Sequence, residues 1–289
     1  MALLKWKNHR IEEVEVNLML SALKERYGYD FGGYARASLK RRLSELARYF
    51  EVKRLSELLA VMLYDEAVAQ TVINSITVPT SEFFRDPEVW RKVRETILPQ
   101  LDSFPWINIW QVGCGHGEET YTLAILLHEA GLLKKSRIFT SDINPAFLRE
   151  ARNGCWSRRR LESWRTSYLN AGGNGNFDSY FEDKGDEIAI REELKHSIEF
   201  IQHNLVQDDV FKEVQFVVCR NVLIYFGEAL QERVLKLLSR SLERGGFLLL
   251  GRSENILDLD DRHHELEALH DDFQLYRKVI GKKHHLGAS

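Results

Sequence analysis

Three alternating glycines, Gly113, Gly115 and Gly117, constrain the fold of this chain more than any other feature of its sequence. The apolar segment Ile107–Val112 precedes them and reads as a buried β-strand, and residues 119–130 after them read as a helix. Glycines between a strand and a helix let the backbone turn tightly and let a ligand approach it closely. The pattern predicts an α/β nucleotide-binding unit, although a plain strand-to-helix turn would use the same residues.

The spacing of the loop narrows the choice of ligand. A dinucleotide-binding loop follows the pattern G-x-G-x-x-G, but the position five after Gly113 is Glu118, and Glu119 follows. Two carboxylates at a helix start would repel a pyrophosphate, which binds at the positive helix end. S-adenosylmethionine (SAM) has no phosphate and carries an ammonium, a carboxylate and a sulfonium. The spacing therefore favours SAM over a nicotinamide dinucleotide.

The rest of the chain supports a sheet of parallel strands covered on both faces, because predicted strands alternate with predicted helices. Further strands are predicted over residues 137–141, 199–203, 215–219, 246–250 and 273–279, and further helices over Pro145–Asn153 and residues 228–242. Residues 165–195 contain the cluster AGGNGN and are expected to form a loop or a small subdomain.

The N-terminal part reads as helical, with a stripe formed by Leu39, Leu43, Leu46 and Phe50. A connector follows, in which Pro79 and Pro87 interrupt the helical pattern because proline is unfavourable inside a helix. We therefore expect a helical domain over residues 1–75, a linker over 76–88, a nucleotide-binding domain over 89–281 and a disordered tail over 282–289.

Composition excludes several classes of protein. A net charge of −3 argues against a general nucleic-acid binder. The three cysteines show no metal-ligand spacing, so no metal is expected, and their sparse use fits a reducing compartment. Neither a signal peptide nor an apolar membrane span is apparent, so the expected location is the cytoplasm.

Two polar residues follow predicted strands of the nucleotide-binding unit. Asp142 stands 25 residues after Gly117, where a carboxylate can accept hydrogen bonds from both ribose hydroxyls, or can cap the next helix. Asn204 follows the third strand, where an amide can bind the adenine edge or stabilise a turn.

A series of motifs resembles the CheR-type chemotaxis receptor methyltransferases along nearly the whole chain. The matching segments are GYDFGGYARASLKRRL (28–43), SEFFRDP (81–87), GCGHGEETYTLAILL (113–127), SDINPAFLREARNG (141–154), HNL (203–205), CRNVLIYF (219–226) and GGFLLLGRSEN (245–255). The resemblance implies a Rossmann-like class I SAM-methyltransferase sheet with an N-terminal all-α domain and a small β subdomain. It also implies SAM-dependent methylation of glutamate side chains on chemoreceptors, with S-adenosylhomocysteine as the product.

The same resemblance implies a set of cofactor-binding residues: Ser81, Arg85, Gly113, Gly115, Glu119, Asp142, Asn204, Leu205, Arg220 and Asn221. In that set Arg85 would bind the SAM carboxylate unless it forms a structural ion pair, and Glu119 would hold the amino end. Arg220 and Tyr225 are the expected catalytic residues: either could orient the methyl-accepting carboxylate, and the tyrosine hydroxyl is the milder choice because an arginine would quench its nucleophilicity. Glutamate is ionised at neutral pH, so its attack on a sulfonium methyl needs alignment and no general base.

Two departures from the family pattern affect the expected cofactor contacts. Pro79 stands where the family usually has asparagine, which removes an amide and a backbone N–H. His116 is unusual in the glycine loop and reads as an exposed loop residue.

The segment from Arg36 to Arg54 has a local charge of +5, from seven basic and two acidic residues. The expected substrate-docking residues are Arg36, Arg41, Arg42 and Arg48. Charge alone would suit a solvated helix face, but the resemblance favours docking of a Glu-rich helical region of a cytoplasmic chemoreceptor domain. Relatives that bind a C-terminal receptor peptide have a longer loop after a Tyr-Phe pair, so no such tether is expected after Tyr180.

Three other functions compete with this interpretation. The chain could be a non-catalytic SAM-binding sensor or adaptor, an O-methyltransferase for another carboxylate, or a nicotinamide-dependent oxidoreductase. The FFRDP segment and the basic N-terminal domain argue against a small-molecule enzyme.

Overall fold

The computed structural model describes residues 8–254, 256 and 265–279. The chain divides into two compact units. The helical unit comprises the described residues up to Val78 together with Tyr225–Gln231. The sheet unit comprises Pro79–Ile224 and the described residues from Glu232 onward.

The helical unit is all-α, as expected. Its helices in the described part are α1 (Asn8–Tyr27), α2 (Arg36–Tyr49), α3 (Leu55–Met62) and α4 (Glu66–Thr77). Of the predicted stripe, Leu39, Leu43 and Leu46 are buried on α2, whereas Phe50 is its C-cap residue and is half-buried. The Asp65 carboxylate caps α4 by accepting hydrogen bonds from backbone N–H groups of its first turn, which otherwise lack partners.

The sheet unit contains the strands of the described residues. They are β1 (Ile107–Val112), β2 (Ser136–Asp142), β3 (Cys155–Ser157), β4 (Phe181–Lys184), β5 (Glu187–Ile190), β6 (Ile198–Gln202), β7 (Val214–Cys219), β8 (Leu242–Leu250), β9 (Leu266–His270) and β10 (Leu275–Lys278). The main sheet has seven strands in the order β6-β2-β1-β7-β8-β10-β9. The first five in that order are parallel, and β10 runs antiparallel to both of its neighbours.

Helices accompany this sheet. They are α5 (Pro87–Lys92), α6 (Leu98–Leu101), α7 (Glu118–Glu129), α8 (Pro145–Asn153), α9 (Leu161–Asn170), α10 (Glu192–Lys195) and α11 (Glu228–Ser241), and a π-helical turn, Val93–Ile97, joins α5 to α6. The bounds of α8 match the prediction because the residues that start and end this helix are adjacent to it in the sequence. Asn144 caps its start, Pro145 occupies its first turn, and Gly154 ends it in the left-handed conformation.

A second sheet forms the small β subdomain that the resemblance implied. It has three antiparallel strands in the order β3-β5-β4. The Phe83 ring lies within 4.9–5.8 Å of the rings of Trp156, Trp164, Phe177 and Phe181, so the FFRDP segment is anchored in the aromatic core beside this sheet.

The structure adds three details to the predicted fold. The main sheet is mixed rather than fully parallel, and β9 had no counterpart in the prediction. Helix α4 continues to Thr77 and α5 begins at Pro87, so both reach into the segment read as a linker. The tail expected to be disordered lies outside the described residues. No described helix is both long and apolar enough to cross a membrane.

Candidate functional site

The glycine loop lies between β1 and α7 with all three glycines at positive φ, +71° at Gly113, +52° at Gly115 and +95° at Gly117. Backbone N–H groups of Gly113 and Cys114 donate to the Ser141 carbonyl at 2.8 and 3.0 Å, which ties the loop to β2. A Cβ on Gly113 would lie 2.6 Å from a methyl of Val222. Glycine is therefore required here by both conformation and space.

Asp142 lies at the end of β2 and contacts this loop directly. Its Oδ2 accepts the Gly115 N–H at 3.1 Å, and its Oδ1 accepts the Asn144 N–H at 2.9 Å. Asn144, not Asp142, caps α8, because its Oδ1 accepts the Ala146 N–H at 2.9 Å. Burial raises the Asp142 pKa to about 6. The carboxylate keeps lone pairs for two further donors, as a ribose diol would supply.

Asn204 stabilises the turn that follows β6. Its Oδ1 accepts the Val206 N–H at 2.9 Å, and its Nδ2 donates to Gln207 Oε1 at 3.1 Å. The turn is joined to the end of β2, since the His203 N–H donates to the Asp142 carbonyl at 3.1 Å. Leu205 is buried next to it. The side chain of Asn204 thus has the turn role that the sequence left open, with one Nδ2 hydrogen still available.

The SEFFRDP segment presents polar side chains on a buried aromatic anchor. Phe84 is fully buried at a φ of +52°, and its N–H donates to Thr122 Oγ1 at 3.0 Å. Ser81 and Arg85 line a cleft of about 630 Å³, which is bordered also by Pro79, Thr80, Glu82, His116 and Arg160. A left-handed backbone is strained for a bulky residue, and such strain often marks a functional segment.

The Arg85 side chain in this cleft has no polar partner among the described residues. No hydrogen bond or ion pair joins its guanidinium to any part of the chain that the structure describes; only its backbone carbonyl is engaged, by Trp90 Nε1 at 3.0 Å. The alternative of a structural ion pair is therefore not seen for Arg85. Ser81 Oγ accepts the Glu119 N–H at 3.3 Å, which ties the SEFFRDP segment to the first turn of α7.

Arg220 differs from its expected role. Its guanidinium donates to Glu119 Oε2 at 2.8 Å, to Asp86 Oδ2 at 2.5 Å and to the Arg85 carbonyl at 3.2 Å, and it stacks at 5.2 Å on the Trp90 ring. The side chain is fully buried. Because both terminal nitrogens are paired with protein groups, Arg220 holds Glu119 and the FFRDP segment rather than presenting an open fork to a substrate carboxylate.

A second ion pair borders the same cleft, between a half-exposed arginine and a buried glutamate, and it was missed by sequence reasoning. Glu118 is fully buried, and its Oε1 accepts from Arg160 Nη1 at 3.0 Å. Arg160 Nη2 also donates to the Ser81 carbonyl at 3.2 Å. Burial raises the Glu118 pKa, and its Oε2 has no hydrogen-bond partner in the described chain. The sequence offered only the first glutamate of the GEE motif as a signal, because Arg160 lies outside every family motif.

Glu254 is a second buried glutamate whose contacts sequence reasoning missed. Its Oε2 accepts the N–H groups of Asn221 at 2.9 Å and Gly251 at 2.6 Å, and its Oε1 accepts the Ile224 N–H at 3.3 Å. It thereby holds Asn221 at a φ of +59°. Burial raises the Glu254 pKa, while these backbone bonds oppose that shift. The SEN triplet of the last motif was the available signal.

Within the helical unit, the expected docking residues separate into two groups. Arg36, Arg41 and Arg48 are exposed on α2. Arg42 is only 5% exposed, so the expectation that it belongs to a docking surface is wrong. Tyr225 also belongs to the helical unit, where its carbonyl accepts the Ala35 N–H at 2.8 Å.

His116 is not a free loop residue. Its Nδ1 lies 2.6 Å from Glu150 Oε2, and its carbonyl accepts from Trp156 Nε1 at 3.2 Å. The first contact joins the glycine loop to α8, and the second joins it to the small β subdomain.

The residues present fit SAM. The Arg85 guanidinium in the cleft suits a carboxylate, the Glu119 carboxylate held by Arg220 suits an ammonium, and Asp142 has acceptor capacity for hydroxyls. For a metal, no group of three or more His, Cys, Asp or Glu side chains in the described residues could supply ligands.

Comparisons with known proteins identify a family for both parts of the chain. The family described as "CheR methyltransferase, SAM binding domain" matches residues 79–270, and "CheR methyltransferase, all-alpha domain" matches residues 15–77. A Pseudomonas putida protein with the provisional name methyltransferase Cher3 is 37% identical over 94% of this chain and 99% of its own length. A chemotaxis protein methyltransferase from Listeria monocytogenes is 30% identical over 83% of this chain and 89% of its own. The solved glycopeptide N-methyltransferase MtfA, complexed with sinefungin, is 13% identical with a TM-score of 0.35 over 68% of this chain and 59% of that one.

Proposed function

The chain belongs to the CheR methyltransferase family, and from that membership we propose that it methylates glutamate side chains of a chemoreceptor with SAM as the donor. Relatives with 26–30% identity carry the name chemotaxis protein methyltransferase, which supports a receptor as the substrate. The proposed enzyme is a protein-glutamate O-methyltransferase.

The observation that carries the choice of substrate is the exposed basic surface of α2. Arg41 and Arg48 are seven residues apart, both are exposed, and neither forms an ion pair with another described residue. Unpaired surface cations steer an acidic partner and set its orientation. A Glu-rich receptor helix supplies the complementary charge, whereas a small carboxylate substrate would not need this surface.

In the proposed cofactor site, each end of SAM meets a different part of the chain. The Arg85 guanidinium would bind the carboxylate through a bidentate fork, and Glu119, held by Arg220, would bind the ammonium. Asp142 would accept the ribose hydroxyls, and Leu205 would pack against the adenine beside Asn204. SAM supplies an electrophilic methyl group on a sulfonium.

The chain's own contribution to transfer would be alignment of the acceptor. Nucleophile and methyl carbon must come within about 3–3.5 Å along one line. A receptor glutamate loses water on entering the site and needs a hydrogen-bond donor in return. We assign that role to the Tyr225 hydroxyl, because a neutral donor orients a carboxylate without quenching its nucleophilicity, and because both terminal nitrogens of Arg220 already donate to protein groups.

Transfer of labelled methyl from SAM to receptor cytoplasmic fragments tests the proposal. We expect base-labile methyl ester on glutamate, a strong loss of SAM affinity in Arg85→Ala, and a loss of kcat in Tyr225→Phe. SAM binding measured by calorimetry, without transfer to any receptor fragment, would instead support the sensor or adaptor. Transfer that survives both substitutions intact would contradict the site assignment.

A further inference from the structure

Arg42 is the one residue of the basic α2 segment whose guanidinium is buried. Its Nη1 donates to the carbonyls of Ser75 at 3.0 Å and Ile76 at 2.8 Å, and its Nε donates to Ser38 Oγ at 3.2 Å. The two carbonyls lie at the C-terminal end of α4, where backbone carbonyls lack helical partners and the helix dipole is negative. Arg42 therefore caps α4 from a neighbouring helix.

The same guanidinium covers the ring of Tyr225. Its central carbon lies 4.7 Å from the ring centroid, which is within the range of a cation–π contact. The backbone of Tyr225 is held independently, since its carbonyl accepts the Ala35 N–H at 2.8 Å. Phe226 forms a β-bridge with Tyr34, and their rings are 5.0 Å apart. Backbone contacts thus fix the position of Tyr225, and Arg42 restrains its ring.

The electrostatics of this site distinguish Arg42 from an ordinary structural arginine. A buried charge is costly unless it is paired, yet no carboxylate among the described residues pairs with Arg42. Its compensation comes from carbonyl dipoles and from the π face of Tyr225. Capping two carbonyls of α4 does not require a tyrosine ring on the other face of the guanidinium.

We propose that Arg42 is a positioning residue for methyl transfer, which holds the Tyr225 ring so that its hydroxyl is aimed at the accepting carboxylate. The proposal rests on the function proposed above, because it gives Arg42 its effect through Tyr225. It also divides α2 into two roles: the exposed Arg41 and Arg48 meet the acidic partner, and the buried Arg42 supports the tyrosine.

Lysine is the substitution that separates capping from positioning. It keeps the positive charge and can donate to the α4 carbonyls, but it lacks the planar guanidinium that stacks on an aromatic ring. We therefore expect Arg42→Lys to fold and to bind SAM as the unmodified chain does, with kcat about tenfold lower from the weakened cation–π contact. The KM for the receptor fragment should change little, because Arg42 is not on the exposed surface.

A double-mutant cycle with Tyr225→Phe tests whether the effect passes through the tyrosine hydroxyl. Residues that act as a unit are strongly non-additive, so Arg42→Lys should reduce kcat by less than about twofold when the hydroxyl is already absent. A full additional loss in the Tyr225→Phe background would overturn the proposal. So would a loss confined to the KM for the receptor fragment, which would indicate docking, or one confined to thermal stability, which would indicate capping alone.

A spectroscopic measurement separates this proposal from the function on which it rests. The full chain labelled with 3-fluorotyrosine gives a ¹⁹F signal for Tyr225, identified by its absence in Tyr225→Phe. We expect Arg42→Lys to shift that signal and the matched substitution Arg41→Lys, at the exposed neighbour, to leave it in place. If the unmodified chain methylates no receptor fragment, the proposed function fails, whereas an unmoved Tyr225 signal in Arg42→Lys removes the positioning role by itself.

Discussion

Glu119 Oε2 accepts a hydrogen bond from Arg220 Nη1 at 2.8 Å, and this contact joins the start of α7 to the residue that follows β7. The second arm of the guanidinium reaches Asp86 Oδ2 at 2.5 Å. One buried cation therefore neutralises two carboxylates from separate segments. Losing one member of such a group leaves an uncompensated charge and costs about 3–5 kcal/mol.

We expect Arg220→Met to lower the free energy of unfolding by about 3–5 kcal/mol and to weaken SAM binding, because Glu119 and Asp86 lose their shared partner. Urea denaturation and calorimetric titration with SAM measure the two effects. The control is Arg252→Met, whose partner Glu88 is at 3.1 Å on the surface and whose own side chain is 69% exposed. That pair should contribute at most about 1 kcal/mol, so equal losses in the two variants would contradict the assignment.

Gly113→Ala should reduce both stability and SAM affinity, because the new Cβ would lie 2.6 Å from Val222 Cγ2. Gly131 provides a matched control: its φ of +72° is nearly the same as the +71° of Gly113, but its Cβ would meet nothing within 4 Å. Both variants lose about 1–2 kcal/mol to the left-handed backbone, and only Gly113→Ala adds the clash. Adding Val222→Ala should recover stability in Gly113→Ala; no recovery would place the cause elsewhere.

Local signals explain why much of the fold could be predicted from the sequence. Helix α8 has its cap, its first-turn proline and its terminal glycine within one short segment, and its bounds were predicted without error. The stripe Leu39, Leu43 and Leu46 follows from helical periodicity alone. Strand β9 gave no such signal, since its sequence LEALH at the sheet edge has too few β-branched or aromatic residues to indicate a strand.

The site could be predicted as a set of residues but not as a set of contacts. The motifs identified Ser81 and Arg85, which line one cleft, and Glu119, whose N–H donates to Ser81, whereas the partners of Arg220 depend on tertiary packing that no spacing encodes. The prediction that Arg42 lies on the exposed docking surface was wrong for a related reason. An arginine at the boundary of a helix face can turn either to solvent or under a neighbouring helix, and only the position of α4 decides.

SAM binding should weaken in mild acid because Asp142 must be ionised to accept ribose hydroxyls. Its pKa in the folded chain is about 6, against 3.8 in the unfolded chain. We expect affinity to be constant above pH 7 and to fall about tenfold per pH unit below about 6. Calorimetric titration across pH 5–8 measures this, and Asp142→Asn should bind weakly with no such slope. A slope retained in Asp142→Asn would assign the titration to another group.

The same raised pKa predicts the sign of an effect on stability. Because folding raises the Asp142 pKa, its contribution to stability is fully present below about 3.8 and is lost as pH rises through about 6. The Asp142→Asn variant has no buried carboxyl to ionise at this position, so it does not lose this stability as pH rises. Its free energy of unfolding, relative to the unmodified chain, should therefore increase between pH 4 and pH 7, and a decrease over that interval would contradict the burial of an ionisable Asp142.

Thiol reactivity should distinguish one cysteine from the other two. Cys155 is exposed on β3, whereas Cys114 and Cys219 are fully buried and burial raises the pKa of both thiols. Ellman's reagent should therefore modify one thiol per chain rapidly under native conditions and all three in denaturant. Cys155→Ser should abolish the fast phase; a remaining fast phase would show that Cys114 or Cys219 is accessible to the reagent, which would contradict their burial.

Charge reversal on α2 tests whether its exposed arginines bind an acidic partner. Arg41→Glu and Arg48→Glu should each raise the KM for a receptor fragment about tenfold and leave kcat and SAM affinity nearly unchanged, because both side chains are exposed and unpaired. The difference from the unmodified chain should shrink as salt increases, since exposed charges are screened within about 8–10 Å. Arg149→Glu on α8 makes the same change of charge on another exposed arginine and should leave KM unchanged. Equal effects at all three positions would mean that net charge, and not the surface of α2, governs receptor binding.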